Sequence, residues 1–332
     1  VFMGRAKFGV FGDGKELPQV VMSKFFNNGD IRSGYYRDQT FMMAIDQLTP
    51  DQFFAQLYAH TDINKDPHSG GRQMNCHFST RMLNNDGNWK TLTDMKNSSS
   101  DVSCVSGQMP RIVGLAYASK LYRKNKNLSD MQNFSINGNE VIFGTIGDAS
   151  TSEGHFWEAI NACGVLQVPV VMSIWDDGYG ISVPSEYHTT RNDLSKVLSG
   201  FQRVSTKEKG FEIFTVNAWD YIGLLKAYLK AAEFARKDHV PCIIHVKDVT
   251  QPQGHTTSGS HERYKPKERL KWEKDFCCVK KMREWILKNN ISTSDELERI
   301  ENKAEKSAIK SRDKSWKSYR NSIDEDLQDA LT

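Results

Sequence analysis

The sequence has no CxxC pair, and its six cysteines (Cys76, Cys104, Cys163, Cys242, Cys277, Cys278) lack the spacing of a disulfide framework. That argues against a disulfide-stapled secreted scaffold and fits a reducing compartment. No apolar run approaches the roughly 20 residues of a membrane span, and no basic-then-apolar signal segment opens the chain. A cytoplasmic location is expected. Charge of one sign is missing too: 44 Lys+Arg stand against 41 Asp+Glu, a formal net charge of +3, too near balance to call for nucleic acid or an anionic membrane. There are no internal repeats. What is present is enough apolar material, 38% hydrophobic and 11% aromatic over 332 residues, to bury a large core in one big domain or two modest ones. The chain opens at Val1 rather than methionine, which reads as a segment of something longer.

Residues 1–34 are a Gly/Asn-rich lead-in with no assignable element. Thr49-Pro50-Asp51-Gln52 offers an N-cap, a first-turn proline and a capping-box glutamine ahead of Phe53, Phe54, Leu57 and Tyr58, so a helix is expected over 50–60. Residues 61–107 are rich in Gly, Ser, Asn and Asp and too long for an ordinary connection; such loops are usually functional or disordered. Beyond them the pattern alternates: helix 109–124, strand 140–147, helix 153–166, strand 169–175, strand 211–216, a helix around 219–237 and strand 242–249. Alternation of this kind implies right-handed crossovers and an α/β fold, a parallel sheet with helices on both faces. From residue 263 charge becomes dense, and the capping-box pair Thr293 and Glu296 starts a helix with Leu297, Ile300, Ala304, Trp316, Tyr319 and Ile323 at helical spacings. The expected organisation is a domain over 1–262 and a helical arm over 263–332, a solvated charged surface with no visible chemistry.

Strand 140–147 ends in Gly147-Asp148 and opens into ASTSEG, and strand 169–175 ends in Asp176-Asp177-Gly178-Tyr179-Gly180. Ligands of open parallel sheets bind outside the carboxyl ends of the strands. Asp148 and Asp177 lie 29 positions apart, about one βαβ unit, so both can reach that edge. Two carboxylates there repel each other unless a cation lies between them. Hard ions such as Mg²⁺ take oxygen ligands and commonly bring a phosphate, and a Gly/Ser/Thr loop entering a helix aims N–H groups at an anion. The local chemistry points to a metal-bridged diphosphate. A lone Gly-Asp at a strand end is also a common helix cap. Gly12-Asp13-Gly14 followed by Asn27-Asn28 imitates the pattern, but its gap is too short for strand, helix and strand, so it reads as a turn.

GDASTSEG (147–154) followed by DDGYGISVP (176–184) resembles the thiamine diphosphate motif, and in particular the alpha half of the decarboxylating component of 2-oxo acid dehydrogenase complexes. The resemblance spans roughly 35–265, with YYR at 35–37, GGRQMNCHF at 70–78, GQMPRIVGLAYASK at 107–120 and QGHTTSGSHERY at 253–264 in the same order. GRQM followed shortly by HF leans toward the branched-chain-type branch rather than the pyruvate branch. Carried over by position, the resemblance implies that Asp148, Asp177 and the Tyr179 carbonyl bind Mg²⁺. Gly147, Asp148, Ala149 and Ser150 would line the diphosphate turn, while Tyr36, Arg37 and His255 would reach the diphosphate and the backbone at Ser103 and Val105 would hold the aminopyrimidine. His255 is the implied catalytic residue, an imidazole that ordinarily titrates in the useful range. His77 divides evenly between core packing and lining the site.

Three departures from the family pattern stand out. Its usual GDG is Gly147-Asp148-Ala149, its NN is Asp176-Asp177, and the arginine common a few residues before the loop histidine is Gln251. The second adds negative charge beside a diphosphate and should tighten dependence on the metal. The implied reaction is decarboxylation of a 2-oxo acid with reductive transfer of the acyl group to a lipoyl arm; thiamine diphosphate supplies the carbanion chemistry and the protein supplies binding and orientation. The glutamate that activates the aminopyrimidine comes, in the family, from a second half with no counterpart in this sequence. A hetero-oligomer with a beta-like half, separate or fused downstream, and a lipoylated acyltransferase is therefore implied. Pyruvate or acetoin dehydrogenase, a transketolase-like enzyme, and a catalytically degenerate regulatory subunit are the other readings.

Overall fold

In the computed structural model, which describes residues 4–6, 8–257 and 260–332, strand residues alternate between two apolar layers. Phe143, Val171 and Ile244 enter one layer, and their chain neighbours Ile142, Met172 and Ile243 enter the other. This period of two, on strands buried on both faces, explains why they read as continuous apolar runs rather than as polar/apolar alternation. The strands are β1 (Ile31–Ser33), β2 (Asn97–Ser98), β3 (Ile142–Gly147), β4 (Val170–Trp175), β7 (Glu212–Asn217) and β8 (Cys242–Lys247). They form one six-stranded sheet in the order β2-β1-β3-β4-β8-β7, every pairing parallel. Between β4 and β7, β5 (Tyr179–Gly180) and β6 (Val183–Pro184) make a small antiparallel hairpin.

Helices α1 (Glu16–Ser23), α2 (Gln39–Ala44) and α7 (Tyr221–Glu233) cover the first layer with Met22, Phe41 and Tyr228. Helices α4 (Gln108–Lys124) and α5 (Gly154–Leu166) cover the second with Ile112, Phe156 and Ile160. The expected α/β architecture with helices on both faces is present. Helix α3 (Pro50–Leu57) has the expected capping box, Thr49 and Gln52 bonding each other's backbone N–H. A short α6 (Leu194–Leu198) precedes β7, and α7 runs on into a π turn over Phe234–Asp238. Val1, and Ser258 and Gly259 of the 253–264 motif, lie outside the described residues.

The lead-in without assignable structure contains both α1 and β1. Strand β1 escapes a pattern search because its central residue is Arg32, fully buried and paired with Asp38 at 2.7 Å and Asp101 at 3.0 Å. After residue 263 come α8 (Lys267–Asp275), α9 (Cys278–Lys288) and α10 (Ser294–Leu331). Helix α10 lies back on α3, with Trp316 edge-on to Tyr58 at 5.2 Å between ring centroids. Its N-cap forms only half of the expected box: Thr293 accepts the Glu296 amide, while the Glu296 carboxylate takes a proton donor from Ser292 instead. Among the described residues no helix is long and apolar enough to cross a membrane.

Candidate active site

Four adjacent strands end at one edge of the sheet, and the segment leaving each is polar. β1 leads into Tyr35-Tyr36-Arg37, β3 into Asp148, β4 into Asp176-Asp177 and β8 into the 250–255 loop. Parallel pairing puts all four exits on the same side, which is why residues as far apart in sequence as Tyr35 and His255 share one cavity of about 310 Å³. Tyr36, Arg37, Val105, Gly147, Asp148, Ala149, Ser150, Asp177, Tyr179 and His255 all line it. Of the residues expected at the site, Ser103 alone does not line the cavity. Its Oγ instead meets Nε2 of buried His77 at 3.0 Å, and His77 also lies off the cavity wall.

The carboxylates divide their work. Asp148 is buried, its N–H donates to the Trp175 carbonyl at 3.1 Å, and its Oδ2 has no protein partner. Burial, and then the charges of Asp177 and Asp176, push its carboxyl well above the ordinary carboxylate range. Asp177 is 9% exposed, and its Oδ1 accepts the Tyr179 amide at 3.0 Å. Asp176 does not line the cavity. Its Oδ2 meets Nε2 of buried His245 at 2.8 Å and its Oδ1 accepts the Gly178 amide at 3.1 Å. Burial opposes ionisation of Asp176, but His245, the Gly178 amide and Lys247 together outweigh it and hold its carboxyl below the ordinary value. His245 is fixed in turn by Ser195 Oγ, 2.6 Å from Nδ1. Of the two acids that stand where the family pattern has asparagines, only the second faces the ligand space.

A divalent cation fits this arrangement. Two buried, mutually repelling carboxylates, one with an unpartnered oxygen, need a positive charge between them. Among the described residues no group of three or more His, Cys, Asp or Glu side chains gathers as a metal cluster. Such a site supplies one or two carboxylates and a carbonyl and leaves the remaining positions to phosphate oxygens and water, the usual manner of Mg²⁺. The turn after Asp148 is a 3-10 segment, Ala149–Ser152, whose Ser150 carbonyl accepts from Ser106 Oγ at 2.6 Å.

The cationic side of the cavity differs from expectation. Burial, followed by the charge of Arg37, pushes the His255 ring down to about 4, so it is neutral where an ordinary imidazole would titrate. The charged arm also contributes chemistry where none was visible in sequence: Arg269 of α8 donates to the Asp177 carbonyl at 2.7 Å and pairs with Glu273 at 3.0 Å. Lys15, Tyr35 and Trp175 line the cavity and were missed by pattern. Tyr35 belongs to the YYR motif and could have been found there. Trp175 is read simply as the end of an apolar strand, although its buried Nε1 has no protein acceptor. Lys15 carries no local signal, because its hydrogen-bond partner is Gln251, 236 positions on.

The family model described as "Dehydrogenase E1 component" matches residues 3–321. The chain is 28% identical over 198 residues to the pyruvate dehydrogenase E1 component subunit alpha of Rickettsia bellii, covering 59% of this chain and 53% of that protein. It is 26% identical over 242 residues to the 2-oxoisovalerate dehydrogenase subunit alpha of Bacillus subtilis, covering 73% and 62%. To the mitochondrial 2-oxoisovalerate dehydrogenase subunit alpha of Homo sapiens it is 24% identical over 287 residues, covering 86% and 55%. The matched part is thus between about half and three-fifths of the length of these relatives.

Proposed function

The chain belongs to the dehydrogenase E1 component family, and from that premise we propose that its cavity is the diphosphate end of a thiamine diphosphate site in the alpha half of a 2-oxo acid dehydrogenase. The observation that carries this reading is the gathering of Asp148, Asp177, Arg37 and His255 around one cavity at the carboxyl edge of the sheet. Two acids for a metal beside cations and backbone N–H groups for phosphate oxygens form a donor set that suits Mg²⁺-diphosphate and little else. Asp148, Asp177 and the Tyr179 carbonyl would hold the Mg²⁺. Thiamine diphosphate supplies the nucleophile and electron sink for decarboxylation when bound.

The protein's own part is positioning. Arg269 and the Tyr179 amide fix the two ends of Asp177, and the His245–Asp176 pair anchors the loop that carries it. Arg37 Nη1 donates to the Phe11 carbonyl at 2.7 Å and Nη2 holds His255. His255 is thereby presented to the cavity as a neutral hydrogen-bond donor rather than as a base. The substrate class we assign is the branched-chain 2-oxo acids, in keeping with the sequence motifs at 71–78. The cavity of about 310 Å³ is only partly enclosed by this chain, and sites at subunit interfaces need a second wall. A beta-like half supplies that wall, and a lipoylated acyltransferase accepts the acyl group.

Dye-coupled oxidation of 3-methyl-2-oxobutanoate and of pyruvate tests this. The chain alone is expected to be silent, and activity is expected on adding the beta-like half with Mg²⁺ and thiamine diphosphate, greater with the branched acid. Robust turnover by the chain alone would overturn the shared-site reading. A well-assembled but silent mixture would instead assign the chain to a catalytically degenerate, regulatory role.

A further inference from the structure

The turn Gly12-Asp13-Gly14-Lys15, which sequence spacing dismisses, is pressed into the site. A Cβ on Gly14, at φ +83°, would lie 1.8 Å from the Thr250 carbonyl oxygen, and one on Gly12 would lie 2.3 Å from the Arg37 carbonyl oxygen. Only glycine allows both approaches. Asp13 Oδ2 accepts the Gln253 amide at 2.7 Å, so the turn is clamped between the Arg37 segment and the loop that leads to His255.

The clamp sets Lys15 in the cavity wall. Its side chain is buried, the residue being 1% exposed, and Nζ donates to Gln251 Oε1 at 2.9 Å. An ammonium has three N–H donors, and a glutamine carbonyl satisfies one without neutralising the charge. Asp177, Asp13, Glu16 and Asp148 are the neighbouring carboxylates, yet among the described residues none closes an ion pair on Nζ. Burying a cation is unfavourable unless an anion meets it. Arg37, the other cation here, is pinned by three of its five N–H donors, one from Nη1 to the Phe11 carbonyl and two from Nη2 to His255. Among the described residues, Lys15 Nζ is held by one neutral acceptor only, which leaves two of its three donors for a ligand.

We propose that Lys15, oriented by Gln251, is the principal phosphate ligand among the side chains of this cavity and donates to the oxygens of a diphosphate. The proposal deepens the reading of the cavity as a diphosphate site and rests on it. Asp148 and Asp177 neutralise the metal, so the charge of the diphosphate falls to Lys15, while Arg37 holds the loops in place.

The test is calorimetric binding to the full-length protein, with its beta-like half where that is a separate chain, using Mg²⁺ with thiamine diphosphate and, separately, Mg²⁺ with inorganic pyrophosphate. Lys15→Met should weaken both by roughly 10- to 100-fold, the worth of a charged hydrogen bond. Gln251→Arg in the Lys15→Met background should restore much of the loss by returning a cation to the same wall. Should Lys15→Met fail to fold, Gln251→Glu keeps the lysine but ties it to a carboxylate, and it should weaken both ligands as well. Undiminished affinity in a folded Lys15→Met or Gln251→Glu protein overturns the role of Lys15 and leaves the diphosphate site standing. Lysine-dependent binding of pyrophosphate without binding of thiamine diphosphate supports Lys15 and overturns the thiamine assignment. Binding of neither by the unaltered protein overturns both.

Discussion

Arg37 Nη2 donates to two atoms of His255 at once, the backbone carbonyl at 2.8 Å and Nδ1 at 3.1 Å. A guanidinium has no lone pair to offer, so Nδ1 must be the acceptor and the ring proton must sit on Nε2. The same contact that aims the ring therefore fixes its tautomer. The ring is pushed down to about 4 by burial and by the Arg37 charge. A histidine whose folded value lies below its unfolded one contributes stability above about pH 6.5, lost as pH falls through the window toward 4. Ring ¹⁵N spectra should show a neutral Nε2–H imidazole across about pH 5.5 to 8. Arg37→Met should release the tautomer and raise the ring's value. A ring titrating near 6.5 in the unaltered protein would contradict the geometry.

Asp148 is next to be tested, because a buried acid with a free oxygen and two acidic neighbours is held at a cost. Asp148→Asn keeps its shape and removes a charge that the metal-free fold does not need. The expected outcome is a melting temperature unchanged or higher without ligands, while Asp148→Ala, which removes the ligand oxygen as well as the charge, should abolish Mg²⁺-dependent thiamine diphosphate binding. Undiminished calorimetric affinity would remove Asp148 from the metal site.

Asp177→Asn should behave differently. The amide Oδ1 can still accept from the Tyr179 N–H, the bond seen at 3.0 Å, so the loop is expected to keep its form. A neutral oxygen remains an adequate Mg²⁺ ligand. Cofactor binding should survive, with altered preference between Mg²⁺ and Ca²⁺ at most. Complete loss would show that the Asp177 charge serves something other than the metal, and Lys15, on which that charge acts, is a candidate partner.

Behind the cavity, Asp38 Oδ2 accepts from Arg32 Nε at 2.7 Å, the Thr145 hydroxyl at 2.6 Å and the Tyr35 amide at 3.3 Å. It ties β1, β3 and the YYR segment together through one buried oxygen. Asp38→Asn should destabilise the protein by on the order of 3 kcal/mol, since it strips Arg32 of half its countercharge in the interior. Chemical denaturation gives the magnitude. Hydrogen exchange should show the loss of protection concentrated at 35–38. A change within about 0.5 kcal/mol, as for an ordinary surface substitution, would mean that Asp101 alone suffices for Arg32.

The sequence alone determined the elements whose signal is local. Apolar runs bounded by polar turns located β3, β4, β7 and β8 to within a few residues, and the Thr49 capping box located the start of α3. The 29-residue step from Asp148 to Asp177 sufficed to bring both to one edge, because a parallel crossover returns the chain to the same end of the sheet. Tertiary structure decided whatever depended on a distant partner. Arg32 looked incompatible with a buried strand until Asp38 and Asp101 met it, so β1 stayed hidden. Asp176 and Asp177 are the same residue type side by side, and the family resemblance alone singled out the second; in the fold His245, 69 positions away, claims the first and leaves the second to the cavity. His255 reads as an ordinary imidazole until burial and Arg37 take its titration out of the neutral range. Lys15 and Arg269 come from opposite ends of the chain to adjoin the same acid-lined edge. Periodicity and capping are properties of neighbours along the chain and are written in the sequence. Charge compensation and desolvation belong to neighbours in space, and only the packed fold brings those together.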